Sequence, residues 1–497
     1  MSLDRPGLIL SGSLRAAGDP TRHHRMDPSE IIVCGGIMKR VLRNAVVFLA
    51  GCLISVHSWA EDIKAANPES VGLSSERLER FSAEMEKGVA AGHFPGAVAA
   101  VARNGEIAFF ESYGFRDREA GLPMTDDAIF RIASMTKAIT GVAVMILYEE
   151  GHFTLNDPVS KFIPSFKNAR VLVADSKKGE KGGKGAAKEY DEQWLKENWD
   201  SLSEEEQAQV LASYYEKGKG SPDAETEPAN RPITIRDLLR HTAGISYNPG
   251  EIWEPGDDLG EMIDNLAAKP LISQPGTRFE YGLSIDVLAR LVEVVSGQSF
   301  DEFIKERIFD PLDMNDAGFQ VPMDQAARLV SMPIDEASTK KDEKSGKSYS
   351  ENSYLSPPVV LMGGTGLVST TLDYLRFCQM LLNNGVLDGE RILGRKAVEL
   401  MHADHMNDVT DKNSGSKTGG DFHFGLTFGI DGKPGNRGEL GSEGVYWWGG
   451  AYGTTFWIDP KENLVGVFMV NGVKYDEEQS LPYSQMLKHF TYQSIID

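Results

Sequence analysis

The chain has 497 residues, 41% hydrophobic and 25% charged, enough for a large core in one two-lobed enzyme or two domains. A formal net charge of −22 argues against a nucleic-acid partner and against an anionic membrane surface. Of three cysteines, Cys34 and Cys52 lie in or before a leader-like stretch; Cys378 alone remains downstream, which leaves no intrachain disulfide and no thiolate metal cluster there.

Met38-Lys39-Arg40-Val41-Leu42-Arg43 is a positive start, and Ala45 to Val56 is an apolar run too short for a stable membrane span. Ser58-Trp59-Ala60 then supplies small residues before a cut at Glu61. The expectation is a signal peptide over 38–60, an unstructured upstream extension over 1–37, and a periplasmic or secreted mature chain with no transmembrane segment. Leu49-Ala50-Gly51-Cys52 offers a competing lipobox with a lipidated Cys52, but apolar residues follow it where a polar tether usually stands.

Ser74-Ser75-Glu76 starts a helix to about Ala91, with Leu78, Phe81 and Met85 on one face. Ala97 to Arg103 and Glu106 to Tyr113 read as strands joined by Asn104-Gly105, a two-residue hairpin signal. Next comes Arg131-Ile132-Ala133-Ser134-Met135-Thr136-Lys137, which opens an apolar helix pattern through Ala138, Val142, Ala143, Ile146 and Leu147 and stops at Gly151. Ser134 and Lys137, three apart, share one helix face. A serine hydroxyl needs a base, and a lysine serves when burial and nearby positive charge favour its neutral form. The helix start would place N–H groups beside Ser134, where an oxyanion forms. The same Ser-x-x-Lys spacing recurs at Ser338–Lys341 and Ser414–Lys417, both in polar loops without a following helix.

Residues 168–230 change character, with the charged, glycine-rich run 177–185 and an acidic, partly helical stretch 192–217; they read as a surface insertion. Pro232 to Gly244 reads as a capped helix ending at glycine, with His241 a structural, hydrogen-bonded residue rather than a catalytic one. Pro275-Gly276 turns into Thr277-Arg278-Phe279-Glu280-Tyr281, followed by an amphipathic helix to Gly297 and another from Ser299 through Ile308. A polar loop covers 335–353, and Gly363-Gly364-Thr365-Gly366 is a tight turn before a helix over 372–382 that buries Cys378. Gly453 to Ile458 and Leu464 to Val470 are strands, and a terminal helix begins near Leu481. Strands at both chain ends with helices between them imply an α/β (α+β) fold: an antiparallel sheet from 61–130 with 355–497, and an inserted, mostly helical domain over 131–354. His402, His405 and His423 lack ligand spacing, so no metal and no cofactor is expected.

With Ser134-Met135-Thr136-Lys137 placed, the chain resembles the serine β-lactamase and DD-peptidase superfamily, and within it the family VIII carboxylesterases, which share the class C β-lactamase fold. The resemblance spans roughly Glu61 to Asp497 without the insertion. It implies that Tyr281 stands where the family's Tyr-x-Asn motif supplies its tyrosine, and that Trp448-Gly449-Gly450 stands where β-lactamases have Lys-Thr-Gly, at the start of an edge strand lining the site. It further implies catalysis by Ser134, Lys137 and Tyr281, an oxyanion hole from the backbone of Ser134 and Ala451, and substrate contacts from Leu283, Trp448, Gly449 and Gly450. Which of Lys137 and Tyr281 takes the first proton stays open.

Two departures bear on the substrate. Gly282-Leu283 follows Tyr281, so the motif's asparagine is missing, and Trp448 replaces the lysine that attracts a carboxylate. Neutral small-molecule esters are therefore expected over anionic lactams, and a Trp-Gly-Gly of this kind is frequent in family VIII. A literal Lys417-Thr418-Gly419 sits in a polar loop; were it the true third motif, a β-lactamase or D-alanyl-D-alanine carboxypeptidase would fit better. A catalytically silent binding protein of the same fold is the other alternative. The Gly-x-Ser-x-Gly of α/β-hydrolases is absent: Gly282-Leu283-Ser284 begins like it, but Asp286 fills the last position.

Overall fold

The computed structural model describes residues 63–173, 225–247, 252, 257–332, 353–358, 360–411, 423–472 and 482–497. The upstream extension, the leader with its Cys52 alternative, most of the insertion, the polar loop 335–352 and Lys417-Thr418-Gly419 lie outside the described residues. Glu61 to Asp497 form one unit.

Helix α1, Ser75–Ala91, begins where the Ser74 hydroxyl accepts from the Arg77 N–H and ends at Gly92, whose φ is 80°. Strands β1, Gly96–Arg103, and β2, Glu106–Asp117, meet at Asn104 and Gly105, with φ of 56° and 81°, the left-handed pair a tight hairpin requires. β3 is Leu122–Pro123. The helical part follows: α2, Thr136–Glu149, α3, Ile235–Leu239, and α4, Ser284–Ser296. α5, Thr371–Leu382, carries the buried Cys378. The chain then returns to strands β4, His423–Phe424, β5, Gly429–Ile430, β6, Tyr446–Gly449, β7, Thr455–Asp459, and β8, Leu464–Val470, and closes with α6, Tyr483–Ser494.

The sheet has eight antiparallel strands in the order β4-β5-β6-β7-β8-β1-β2-β3, so the two chain ends meet where β1 pairs with β8. β1 is buried along its whole length because both faces are covered. Ala97, Ala99 and Val101 face the core under α1 and α6, while Val98, Ala100 and Ala102 face the larger core with α2, α4 and α5. Its four alanines let layers approach closely on both sides. The larger core runs without a break from β7 and β8 into the helical part, taking in Phe456, Val465, Leu238 and Leu291. The insertion leaves and rejoins through a short ribbon in which Arg170–Leu172 pairs with Thr226–Pro228.

Among the described residues no helix is long and apolar enough to cross a membrane. One expected strand position is corrected. β6 is interior, paired with β5 and β7, because the two-residue strands β4 and β5 form the edge; Trp448-Gly449 falls at the end of β6 rather than its start.

Candidate active site

The segment before Ser134 is pinned before it can become helix. Phe130–Arg131 pairs with Val368–Ser369, and the Asn471 side chain brackets Arg131, accepting its N–H at 3.0 Å and donating to its carbonyl at 3.0 Å. Ala133 then adopts a left-handed φ of 44°, a conformation that costs an alanine about 1 kcal/mol or more. Ser134 therefore lies in a 3-10 turn, Ala133–Met135, and the α-helix starts only at Thr136, two residues later than a helix opening at Ser134 would require. Lys137 sits in the first turn of α2 and is 1% exposed. Its Nζ lies 3.1 Å from Ser134 Oγ and donates to the Gly364 carbonyl at 2.6 Å.

Two tyrosines close the site. The Trp448 indole N–H donates to the Tyr281 hydroxyl at 3.1 Å, and Lys137 Nζ stands 4.8 Å from the centre of the Tyr281 ring. The Tyr247 ring lies 5.4 Å from that of Tyr281 and 5.8 Å from Lys137 Nζ, which sets its phenol beside Ser134 as well. Burial, then Tyr281 and the charge of Asp286, push its hydroxyl well above the usual phenol range, while the Ser134 bond pulls the other way. Tyr247 as a whole is 45% exposed even so. The polar groups brought together are thus those of Trp448, Tyr281, Tyr247, Ser134 and Lys137. Tyr281 joins the nucleophile through Tyr247 and through the face it turns to Lys137. Tyr247 was missed from sequence because no motif marks it; the one signal is its place three residues beyond the Gly244 turn.

That turn explains how Tyr247 arrives. α3 is one turn long and does not run on to Gly244 as the glycine suggested; His241 already has a φ of 56°. Asp237 is the cause. Its carboxylate takes hydrogen bonds from Thr234 at 2.7 Å, Arg231 at 2.6 Å and Thr242 at 2.9 Å, which folds the chain back over the helix. Burial would raise this carboxyl, but the Arg231 and Thr234 bonds win and hold it at about 2. Gly282 then lies against the returning loop: a β-carbon there would sit 2.3 Å from the Ile245 carbonyl oxygen, so only glycine brings residues 281 and 247 together. His241 is fully buried with its ring 4.7 Å from that of Tyr281. Neither of its ring nitrogens has a hydrogen-bond partner among the described residues, contrary to the structural hydrogen bond expected. Burial, with Lys137 nearby, pushes its pKa well down, so it is a neutral wall.

Beyond β6 the chain turns at Gly450–Gly453, with the Gly450 N–H on the Thr454 carbonyl at 2.8 Å. A β-carbon at 450 would lie 2.5 Å from the Ile132 carbonyl oxygen, so glycine lets this turn, which carries Ala451, press against the segment just before Ser134. The amides of Ser134 and Ala451 are thus on neighbouring backbone. Leu283, expected to touch substrate, is instead 6% exposed in the main core at the start of α4, and offers almost no surface. Phe279, Met406, Val409 and Phe424 form a small apolar cluster against Tyr281 and Trp448. Of the three histidines considered as ligands, His402 stacks on Tyr446, His405 Nε2 meets the Leu400 carbonyl and His423 meets Asp404. Among the described residues no group of His, Cys, Asp and Glu could hold a metal ion.

Comparison with known proteins gives the family and the fold. The family described as Beta-lactamase matches residues 81–489. Protein Rv1367c of Mycobacterium tuberculosis is 32% identical over 397 residues, covering 76% of this chain and 86% of its own. Esterase EstB of Burkholderia gladioli is 25% identical over 86% of this chain and 98% of its own. Among solved structures, EstCE1, described as a hydrolase with promiscuous acyltransferase activity, superposes with a TM-score of 0.61 at 21% identity, over 84% of this chain and 99% of that one.

Proposed function

Because this chain belongs to the Beta-lactamase family, we propose that it is a serine esterase that cleaves short-chain carboxylic esters through an acyl-enzyme on Ser134. The observation that carries the reading is the 3.1 Å approach of a buried lysine amine to the Ser134 hydroxyl, beside a tyrosine hydroxyl occupied by a tryptophan N–H. The amine in its neutral form takes the serine proton as Oγ bonds to the ester carbonyl carbon. The resulting oxyanion is received by the N–H groups of Ser134 and Ala451. As the tetrahedral centre collapses, the ester C–O bond breaks and the proton taken up by Lys137 passes to the leaving alcohol by way of the Tyr247 and Tyr281 hydroxyls. Water then gives a proton to the same groups, attacks the acyl carbon and releases the acid and Ser134.

Trp448 supports esters as the substrate class. An uncharged indole stands where a cation would be needed to attract the carboxylate of a lactam, and its N–H is already engaged with Tyr281. The esterase name of a full-length relative points the same way. The test is turnover of p-nitrophenyl esters from acetate to laurate, with nitrocefin and a D-Ala-D-Ala peptide, by wild type and Ser134→Ala. Fast turnover of the short esters, little of the other two, and loss of about three decades or more in the variant are expected. Preference for nitrocefin or the peptide would make it a β-lactamase or carboxypeptidase, and inactivity on all would make it a silent binding protein.

A further inference from the structure

Asp286 has no part in the chemistry described so far, yet it lies next to it. Its position completes the false start of a Gly-x-Ser-x-Gly pattern at Gly282-Leu283-Ser284, which gave it no role. In the structure it is 1% exposed in the first turn of α4. A carboxylate there needs donors and a counter-charge. The donor is the Gly364 N–H, at 2.8 Å from Oδ1. The cation acting on it is Lys137; burial pushes its pKa up, and Lys137 and the Gly364 bond pull against that. The same Gly364 uses its carbonyl to hold Lys137 Nζ at 2.6 Å. One peptide therefore links the carboxylate to the amine: its N–H is held by Asp286 and its C=O aims Lys137 at Ser134. Thr140, one turn along α2, holds the adjoining Gly363 carbonyl at 2.7 Å, so that turn is anchored from two helices.

We propose that Asp286 is a positioning residue: its carboxylate fixes the Gly364 peptide, which orients the Lys137 amine toward Ser134, and supplies the negative charge facing that amine. The inference rests on the serine-esterase reading above. It has two separable parts, an oxygen that accepts from Gly364 and a charge. Asp286→Asn keeps the first and removes the second; Asp286→Ala removes both. The titratable groups facing Lys137 are Asp286 from α4, Tyr281 before it, and His241 and Tyr247 from the loop after α3. Of these Asp286 alone can carry a negative charge, which its replacement by Asn or Ala removes.

The experiment is the pH profile of kcat and kcat/KM on a p-nitrophenyl ester for wild type, Asp286→Asn and Asp286→Ala, normalised to active sites titrated with a fluorophosphonate, and for Ser134→Ala, normalised to folded protein. Asp286→Ala is expected to lose about two decades in kcat with KM within about threefold, and Asp286→Asn to recover at least about tenfold of that loss. The acidic limb of kcat/KM in Asp286→Asn should move relative to wild type, which a merely structural role would not produce. Asp286→Asn, isosteric with wild type, carries the test should Asp286→Ala not fold. A limb that stays in place, or an Asp286→Ala with wild-type kcat, overturns the proposal while an inactive Ser134→Ala leaves the esterase reading standing. An active Ser134→Ala overturns both.

Discussion

The Ser134 hydroxyl has two polar neighbours of opposite use, the Lys137 amine and the Tyr247 phenol, and the ring of the second lies against that of Tyr281 in turn. Residues joined in one network do not act independently, so removing either phenol hydroxyl should disable much of what the other does. Tyr247→Phe and Tyr281→Phe are each expected to lower kcat by about one to three decades, with the double variant falling well short of the product of the two losses. Fully multiplicative losses in that cycle, or a Tyr247→Phe enzyme as fast as wild type, would remove Tyr247 from the relay. The residues differ in how far they could be read beforehand. Ser134 and Lys137 are three apart on consecutive turns, so local geometry alone brings them together. Trp448 and Tyr281 were placed through resemblance. Tyr247 could not be placed, because its contact with Ser134 depends on Asp237 folding the chain back at His241 and on Gly282 admitting the loop, both consequences of tertiary packing.

At the level of elements, the helices carry their polar residues where the backbone needs them. α5 begins at Thr370, whose side chain accepts the Asp373 N–H, and Asp373 accepts the Asp316 N–H at 2.8 Å. Burial nevertheless lifts the Asp373 carboxyl from 3.8 to about 6, with Asp316 adding to it. A folded-state value above the unfolded one means the charged form is the costly one. The penalty is absent below about pH 4, grows through the interval to about 6 and is complete above it, where it amounts to about 3 kcal/mol. Asp373→Asn should therefore stabilise the protein against urea at pH 8 and change little at pH 4; a destabilised variant at pH 8 would show that the carboxylate is worth more to the Asp316 N–H than its burial costs. The start of α1 was legible because Ser74 caps it. Element ends were misjudged where tertiary contacts intervene: α2 starts late because Arg131 is tied to Asn471, and α3 stops early because Asp237 recruits Thr242.

For the whole molecule, the sheet joins the first and last strands of the chain, and the helical part hangs between them on a shared core. That outline was readable because strands at both termini have to pair somewhere, and burial of β1 on both faces agrees with its unbroken apolar run. The edge at β4 and β5 was not, since two-residue strands leave no periodicity. The Val173 N–H meets the Glu225 carbonyl at 2.9 Å, so the insertion enters and leaves at one point. Replacing 174–224 by Asn-Gly should leave kcat/KM within about threefold of wild type and Tm within a few degrees, checked by the ester assay and thermal unfolding; a large loss of either would assign the segment a part in the site or the core. In the proposed reaction the hydroxyl at 134 carries the acyl group. Acid quenching during turnover of a p-nitrophenyl ester, followed by peptide mass mapping, should find the acyl mass on Ser134; an ester-hydrolysing protein whose adduct sits on any other residue would rule this reaction out.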